Sequence, residues 1–179
     1  MFVVCHPVEE SYCGALADRA IGAAESIGHE VRAVSLYGDG FDPRIGLEEW
    51  RGYRDRSARP ADLEHYVESL RWCDSLVFVY PTWFGCQPAM LKGFLERVLT
   101  PDLRLRNIRR LLVVTTHGSP KFLNAVQGEP GKRVMLRGVR SRCHPLTNGR
   151  WLAMYGNDRN DPRARADFLN QVEAQLLRL

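Results

Sequence analysis

This sequence predicts an open α/β fold: a doubly wound five-stranded parallel sheet of order 2-1-3-4-5, with helices on both faces. Two observations carry that expectation. Short apolar runs rich in β-branched residues alternate with amphipathic helical patterns five times along 179 residues. Such alternation implies a parallel sheet joined by right-handed crossovers. The central run Ser75-Leu-Val-Phe-Val-Tyr80 is apolar almost throughout, as a strand buried on both faces must be. Repeats, low-complexity segments and internal linkers are absent from the sequence, so residues 1–179 read as one domain.

Residues 2–5 form the first strand. After His6-Pro7 a helical pattern runs through Leu16, Ala20, Ala23, Ala24 and Ile27, with Gly28 as its C-cap. Residues 30–36 give a second strand with Val31, Val34 and Leu36 as its apolar members. Residues 37–60 are polar and rich in Gly, Asp and Arg, a long connection of the kind that signals function or mobility. Leu63, Tyr66, Val67 and Leu70 mark the next helix. The central strand, residues 75–80, leads through the loop 81–87 into a helix with Met90, Leu91, Phe94, Leu95 and Val98 on one face. Pro88 suits the first turn of that helix, where its missing N–H costs little. Residues 110–116 are a fourth strand and 117–120 its exit loop. Residues 131–143 read as a basic helix around Val134, Met135 and Val139, and residues 151–155 as a fifth strand. Asp161-Pro162, an N-cap followed by Pro at the first helical position, starts a last helix with Phe168, Leu169, Val172 and Leu176 inside. Met90, Met135, Met154, Trp151, Trp50 and Trp72 read as packing residues, with Trp50 in the long connection also able to reach a pocket or a dimer partner.

Composition removes several function classes. The net charge of +4 is a mild basic excess, and no basic–aromatic module accompanies it, so nucleic-acid binding is not expected. No apolar run approaches the ~20 residues that span a bilayer. The start has neither a basic region nor a long apolar stretch, which points to a cytoplasmic protein. Five scattered cysteines without a Cys-x-x-Cys pair suggest neither disulfides nor a metal site. Ser119 lacks the Gly-x-Ser-x-Gly context of a nucleophile, and no Gly-x-Gly-x-x-Gly follows the first strand.

The chemistry should lie where three strand-exit loops meet at the carboxyl edge of the sheet. The loop 6–11 enters a helix N-terminus, whose unpaired N–H groups and dipole favour a phosphate. Ser11 adds a hydroxyl there and His6 a ring N–H. The loop 81–87 sets flat, apolar Trp83 and Phe84 beside backbone N–H groups, a combination suited to a planar heterocycle that also needs hydrogen bonds. The third loop carries Thr115, Thr116, His117 and Gly118.

Taken together, His6-Pro7, Ser11-Tyr12, Ala15-Leu16, Pro81-x-Trp83-Phe84, Pro88-Ala-x-Leu-Lys-Gly93, Arg97 and Thr115-Thr116-His117-Gly118 resemble the flavodoxin-like NAD(P)H:quinone oxidoreductase family. The resemblance implies a homodimeric flavoenzyme that passes a hydride from NAD(P)H through FMN, or FAD, to a quinone, azo or nitro compound. By position, His6, Ser11, Tyr12 and Cys13 would hold the phosphate end of the flavin. Pro81, Thr82, Trp83, Phe84 and Gly85 would line its ring system, with N–H groups from Trp83 to Gly85 stabilising charge on the reduced ring as an oxyanion hole would. Thr115, Thr116, His117 and Gly118 would face its pyrimidine side. Cys13 stands where many relatives have Asn. His117 replaces the first Gly of the usual Thr-Thr-Gly-Gly, as a donor to the flavin or a gate over the pocket, and is the expected catalytic residue. The Tyr and His that assist hydride transfer in animal quinone reductases have no clear counterpart; Phe122 and Gln127 lie in that region. The shorter chain favours FMN over FAD. The resemblance allows two alternatives. One is an ancillary subunit of a glutathione-gated potassium efflux transporter, docking through the basic residues 132–142. The other is a flavodoxin-like electron carrier.

Overall fold

A computed structural model describes residues 1–52, 60–159 and 161–178. Five parallel strands, β1 (Phe2–Val4), β2 (Ala33–Ser35), β3 (Ser75–Thr82), β4 (Arg110–His117) and β5 (Asn148–Tyr155), lie in the order β2-β1-β3-β4-β5. The doubly wound sheet expected from the sequence is therefore present.

Period-two alternation divides the core between the two faces of the sheet. Val77, Val79, Leu112 and Val114 point to one face, where α1 (Tyr12–Ser26) and α7 (Pro162–Leu176) bury Leu16, Ala20, Phe168 and Val172 against them. Leu76, Phe78, Tyr80, Leu111 and Val113 point to the other. There α3 (Glu64–Trp72) contributes Tyr66 and Leu70, α4 (Ala89–Arg97) Leu91 and Phe94, and the segment after residue 130 Met135 and Val139. Removing a fully buried aromatic such as Phe94 would cost about 3–5 kcal/mol. Ser11 and Asp161 cap α1 and α7 by accepting from Gly14 N–H and Ala164 N–H, and Gly28 follows α1 at φ +85°.

Several expectations need correction. The second strand covers Ala33–Ser35 rather than residues 30–36, because β1, its sole partner in the sheet, is itself three residues long. Pro88 is the N-cap of α4, one position before the first helical residue. The connection 37–60 is not structureless over its described part. Phe41 is buried edge-on against Tyr66 and Phe94, and α2 (Leu47–Gly52) brings Glu49 to Arg97 with Nε to Oε2 at 2.9 Å. Pro43 lies so close that a Cβ on Gly93 would sit 2.3 Å from it, so α4 can take only glycine there without a shift. Residues 53–59 of that expected connection lie outside the described residues. Finally, a helix α5 (Lys121–Val126) follows the fourth strand where sequence patterning showed none. The basic helix after it is a composite: α6 (Pro130–Arg133), a wider π-type turn Val134–Val139 and a tight turn Arg140–Arg142. Trp50 is largely exposed.

Candidate active site

The carboxyl ends of β1, β3 and β4 open onto a cleft of about 870 Å³. Twelve of the residues singled out from the sequence line it: His6, Ser11, Tyr12, Cys13, Pro81, Thr82, Trp83, Phe84, Gly85, Thr116, His117 and Gly118. Thr115 does not. It is 1% exposed, one pleat deeper than His117 on the same face of β4, and its hydroxyl lies 2.9 Å from Thr82 Oγ1.

At one end of the cleft the backbone does the presenting. Ser11 Oγ accepts from Gly14 N–H at 3.1 Å as the N-cap of α1, which leaves its own hydrogen for a ligand. Among the described residues, the N–H groups of Tyr12 and Cys13 meet no protein acceptor. They stand at the positive end of a 15-residue helix, the arrangement that attracts a phosphate. The preceding loop lies directly on this turn: a Cβ on Gly14 would be 1.9 Å from the Glu9 carbonyl oxygen. His6 Nδ1 lies 3.0 Å from Val8 N and 2.9 Å from Val8 O, so Val8 anchors the ring in either tautomer and leaves Nε2 unbound by these contacts. The side chains of Tyr12 and Cys13 contribute less than expected. Tyr12 donates its hydroxyl to Arg165 O at 2.7 Å, and burial pushes its pKa up to about 12. Burial likewise raises the Cys13 thiol to about 12, so it stays protonated and packs among Phe2, Leu16 and Ala17.

In the middle, residues 83–86 form a tight turn closed by two hydrogen bonds, Trp83 N–H to Cys86 O and Cys86 N–H to Trp83 O, each 3.0 Å. Its central residues have positive φ, +49° at Phe84 and +73° at Gly85, as the tightest two-residue turns require. For Phe84 that backbone costs about 1–2 kcal/mol. The Trp83 N–H is therefore spent within the turn, a correction to the expected row of free donors. The N–H groups of Phe84 and Gly85 meet no protein acceptor among the described residues. The turn is braced from behind, since Gly131 N–H donates to Gly85 O at 3.2 Å and Gln87 Nε2 to Gly131 O at 2.8 Å. Phe84 is fully exposed and Trp83 partly so.

At the far end, side chains replace backbone. His117 is 5% exposed and forms part of the floor, rather than a gate over the mouth. Its Nδ1 lies 2.8 Å from Asn124 Oδ1 and its Nε2 3.3 Å from Thr82 Oγ1. Tyr155 stacks on its ring at 4.5 Å and donates to Glu129 Oε1 at 2.8 Å. Burial holds the His117 pKa below its ordinary 6.5, against the opposing pull of Asn124 and Glu129. The Tyr155 hydroxyl, together with Lys132, keeps the Glu129 carboxyl below its usual range. Sequence reading missed Asn124, Pro130, Asn157 and Asp158, which also line the cleft, as do Ser119, set aside there as a nucleophile, and Gln127, placed there only by region. The signal that could have located Asn124 is a lone amide in an otherwise apolar stretch, Phe122-Leu-Asn-Ala-Val126.

A profile describing a flavodoxin-like fold matches residues 1–176. The chain belongs to that family. NAD(P)H dehydrogenase [quinone] 1 of Cavia porcellus is 26% identical over 160 residues, covering 72% of this chain and 58% of that protein. The NAD(P)H:quinone oxidoreductase of Methanothermobacter marburgensis superposes with a TM-score of 0.83 at 21% identity, over 98% of this chain and 94% of that one. An FMN-dependent NADH-azoreductase from Bacillus anthracis, solved in complex with FMN, superposes with a TM-score of 0.72 at 14% identity, over 99% and 97%. The chain spans about half the length of the curated relatives it matches. The resemblance read from the sequence thus holds at the level of family and fold. Among the described residues no helix is long and apolar enough to cross a membrane, and no cluster of His, Cys, Asp and Glu could hold a metal ion.

Proposed function

We propose that this chain is a cytoplasmic flavin-dependent NAD(P)H oxidoreductase, one flavin-binding unit over residues 1–179, that reduces a quinone or a related azo or nitro acceptor. One observation carries the reading. A single cleft has unpaired N–H groups at the N-terminus of α1 and again at Phe84 and Gly85, with Trp83 between them. A phosphate fits the first set and an electron-rich planar ring the second. The names of the quinone-reducing and FMN-binding relatives support it. The residues present therefore fit FMN, and FAD would share the same ring and proximal phosphate contacts.

When bound, the flavin would supply hydride acceptance and donation. The work of the chain is to hold and orient it. Ser11, the His6 ring and the Tyr12 and Cys13 N–H groups would neutralise the phosphate. Trp83 and Phe84 would cover the ring and keep water from its reactive face. The Phe84 and Gly85 N–H groups would stabilise negative charge that develops on reduction, while Thr82, Thr116, His117 and Gly118 would face the pyrimidine edge. The homodimer implied by the family resemblance has a physical counterpart: α5 turns Phe122 and Val126 outward, 70% and 77% exposed, and Phe84 is also bare. A second copy would cover them.

For the transporter-docking alternative, Arg140 donates to Thr147 O, and Arg142 to Thr100 O and Leu103 O, so two arginines of the basic segment are turned onto their own chain, while Arg133 and Arg137 are exposed. To test the enzyme reading, the purified protein is mixed with FMN or FAD and its visible spectrum recorded, followed by anaerobic addition of NADH or NADPH. Absorption near ~450 nm that bleaches with nucleotide and returns with a quinone is expected. A preparation that stays colourless with both flavins overturns it.

A further inference from the structure

The polar groups at the cleft floor form a chain whose proton positions follow from the heavy atoms. Asn124 is 3% exposed. Its Nδ2 lies 2.8 Å from Ser119 Oγ and 2.9 Å from Pro120 O. A carbonyl only accepts, so the amide nitrogen faces these groups and Oδ1 faces His117. An amide oxygen cannot donate; His117 Nδ1, at 2.8 Å, therefore carries the proton. In neutral His117 this leaves Nε2 as an acceptor, and the Thr82 hydroxyl at 3.3 Å donates to it. Thr115, at 2.9 Å, donates in turn to Thr82 Oγ1. With its hydrogen turned inward, Thr82 offers only a lone pair to the cleft.

We propose that His117 and Asn124 are positioning residues: by fixing the Nδ1–H tautomer they draw the Thr82 hydrogen onto Nε2, so that Thr82 Oγ1 meets a bound ring as a hydrogen-bond acceptor, and protonation of His117 Nε2 releases that hydrogen. The inference rests on the flavin reading and deepens it by naming what sets the polarity of one contact. When Nε2 takes a proton from solvent it becomes a donor to Thr82 Oγ1, and the released Thr82 hydrogen turns either to Thr115 Oγ1 at 2.9 Å or out toward the cleft. Where it turns to the cleft, a ring N–H that suited the acceptor meets a second donor. No other bond is made or broken.

The charged and titratable groups around His117 set where this happens. From β5, Tyr155 stacks on it and Trp151 approaches edge-on at 6.2 Å. From the loop before α6 comes Glu129, paired with Lys132 at 3.2 Å. The Asp158 carboxylate lies against Gly118, and Lys121 on α5 is exposed. β3 brings only Thr82. A ligand closing over the floor removes more water from the imidazole and disfavours its charge further. Binding and protonation then oppose each other, and affinity falls as pH drops through the His117 transition.

The test starts on the protein as purified, labelled with 15N-histidine. Long-range proton–nitrogen spectra read the tautomer directly. The His117 signal is assigned by its absence in His117→Gln or, should that variant fail to fold, by replacing the other four of the five histidines one at a time. A neutral ring with the proton on Nδ1 is expected; a proton on Nε2 overturns the proposal. FMN affinity is then followed by fluorescence quenching from about pH 5 to 8 in wild type, Thr82→Val and Glu129→Gln. The FMN phosphate titrates near 6 as well, so the quantity read is the ratio of variant to wild type at each pH. Thr82→Val removes the reporting hydroxyl, so its ratio should change several-fold across the range. Glu129→Gln keeps an acceptor for Tyr155 but removes the charge, so the His117 transition and the step in affinity should move together to lower pH. A one-unit difference between the His117 transitions of the free and the flavin-bound protein corresponds to a tenfold change in affinity between the two plateaus. A Thr82→Val profile parallel to wild type overturns the proposal, as does a transition that moves in Glu129→Gln without the affinity. A protein that binds no flavin at any pH instead removes the flavin reading, whereas an Nε2–H tautomer sinks this proposal alone.

Discussion

The two ends of the cleft are built by opposite means. Where β1 runs into α1, the groups offered to a ligand are backbone N–H donors, and the close packing there is backbone against backbone, the Glu9 carbonyl on Gly14. Where β4 runs out, the groups are side chains from β3, β4, β5 and α5, held by hydrogen bonds to one another. A site made of main chain depends on the path of the chain. A site made of side chains depends on a few residues and on their protonation states.

The largest expected effect breaks the comparison at its glycines. Gly14→Ala drives a Cβ into the Glu9 carbonyl oxygen, which cannot yield without moving the loop. We expect a loss of about 2–3 kcal/mol in chemical denaturation and a drop in FMN affinity of tenfold or more. Gly118→Ala meets Asp158 Oδ2 at 2.5 Å, the end of a rotatable side chain, and should cost under about 1 kcal/mol. Equal costs at the two sites would dissolve the contrast. Next, Ser11→Ala removes the cap of α1, for about 1 kcal/mol of stability. Because the Ser11 hydrogen is free for a phosphate, FMN binding should weaken more than riboflavin binding in parallel titrations. Between the two ends, Phe84→Gly should raise the melting temperature by releasing about 1 kcal/mol of backbone strain, while lowering flavin affinity through loss of the aromatic cover.

The smallest effect belongs to the side-chain end. His117 has a folded pKa below its ordinary 6.5 because burial disfavours its charge. The unfolded chain then binds the proton more readily, so stability is full above about 6.5 and is lost as pH falls from there through the folded value. His117→Gln should flatten that part of the stability–pH curve, read by denaturation at a series of pH values. Tyr12 and Cys13, both raised to about 12, stay protonated throughout and add nothing there.

The same contrast decides what could be read without coordinates. The α1 end was legible because a cap, a helix and a preceding strand are local patterns, and Ser11 announces all three. The central loop was legible in its residues but not in its geometry: nothing in Trp83-Phe-Gly-Cys86 states that Phe84 takes the left-handed backbone and that the Trp83 N–H closes the turn. The far end was the least legible. α5 reverses the usual pattern, burying Asn124 and exposing Phe122 and Val126, so a search for an inward apolar stripe passes over it. The family resemblance sets Thr115 against the ligand with the rest of Thr115-Thr116-His117-Gly118, yet strand pleating places it beneath Thr82. The partnership of Tyr155 with Glu129 joins positions 26 residues apart, beyond any local periodicity.

The contact between Glu9 and Gly14 bears on how this chain can vary over generations. Since the loop is seated by its own carbonyl rather than by the identity of any side chain, positions 8 to 10 are free to drift in size and charge. Position 14 is not, and a library randomised across all four would return functional clones with almost any residue at the first three and glycine at the last.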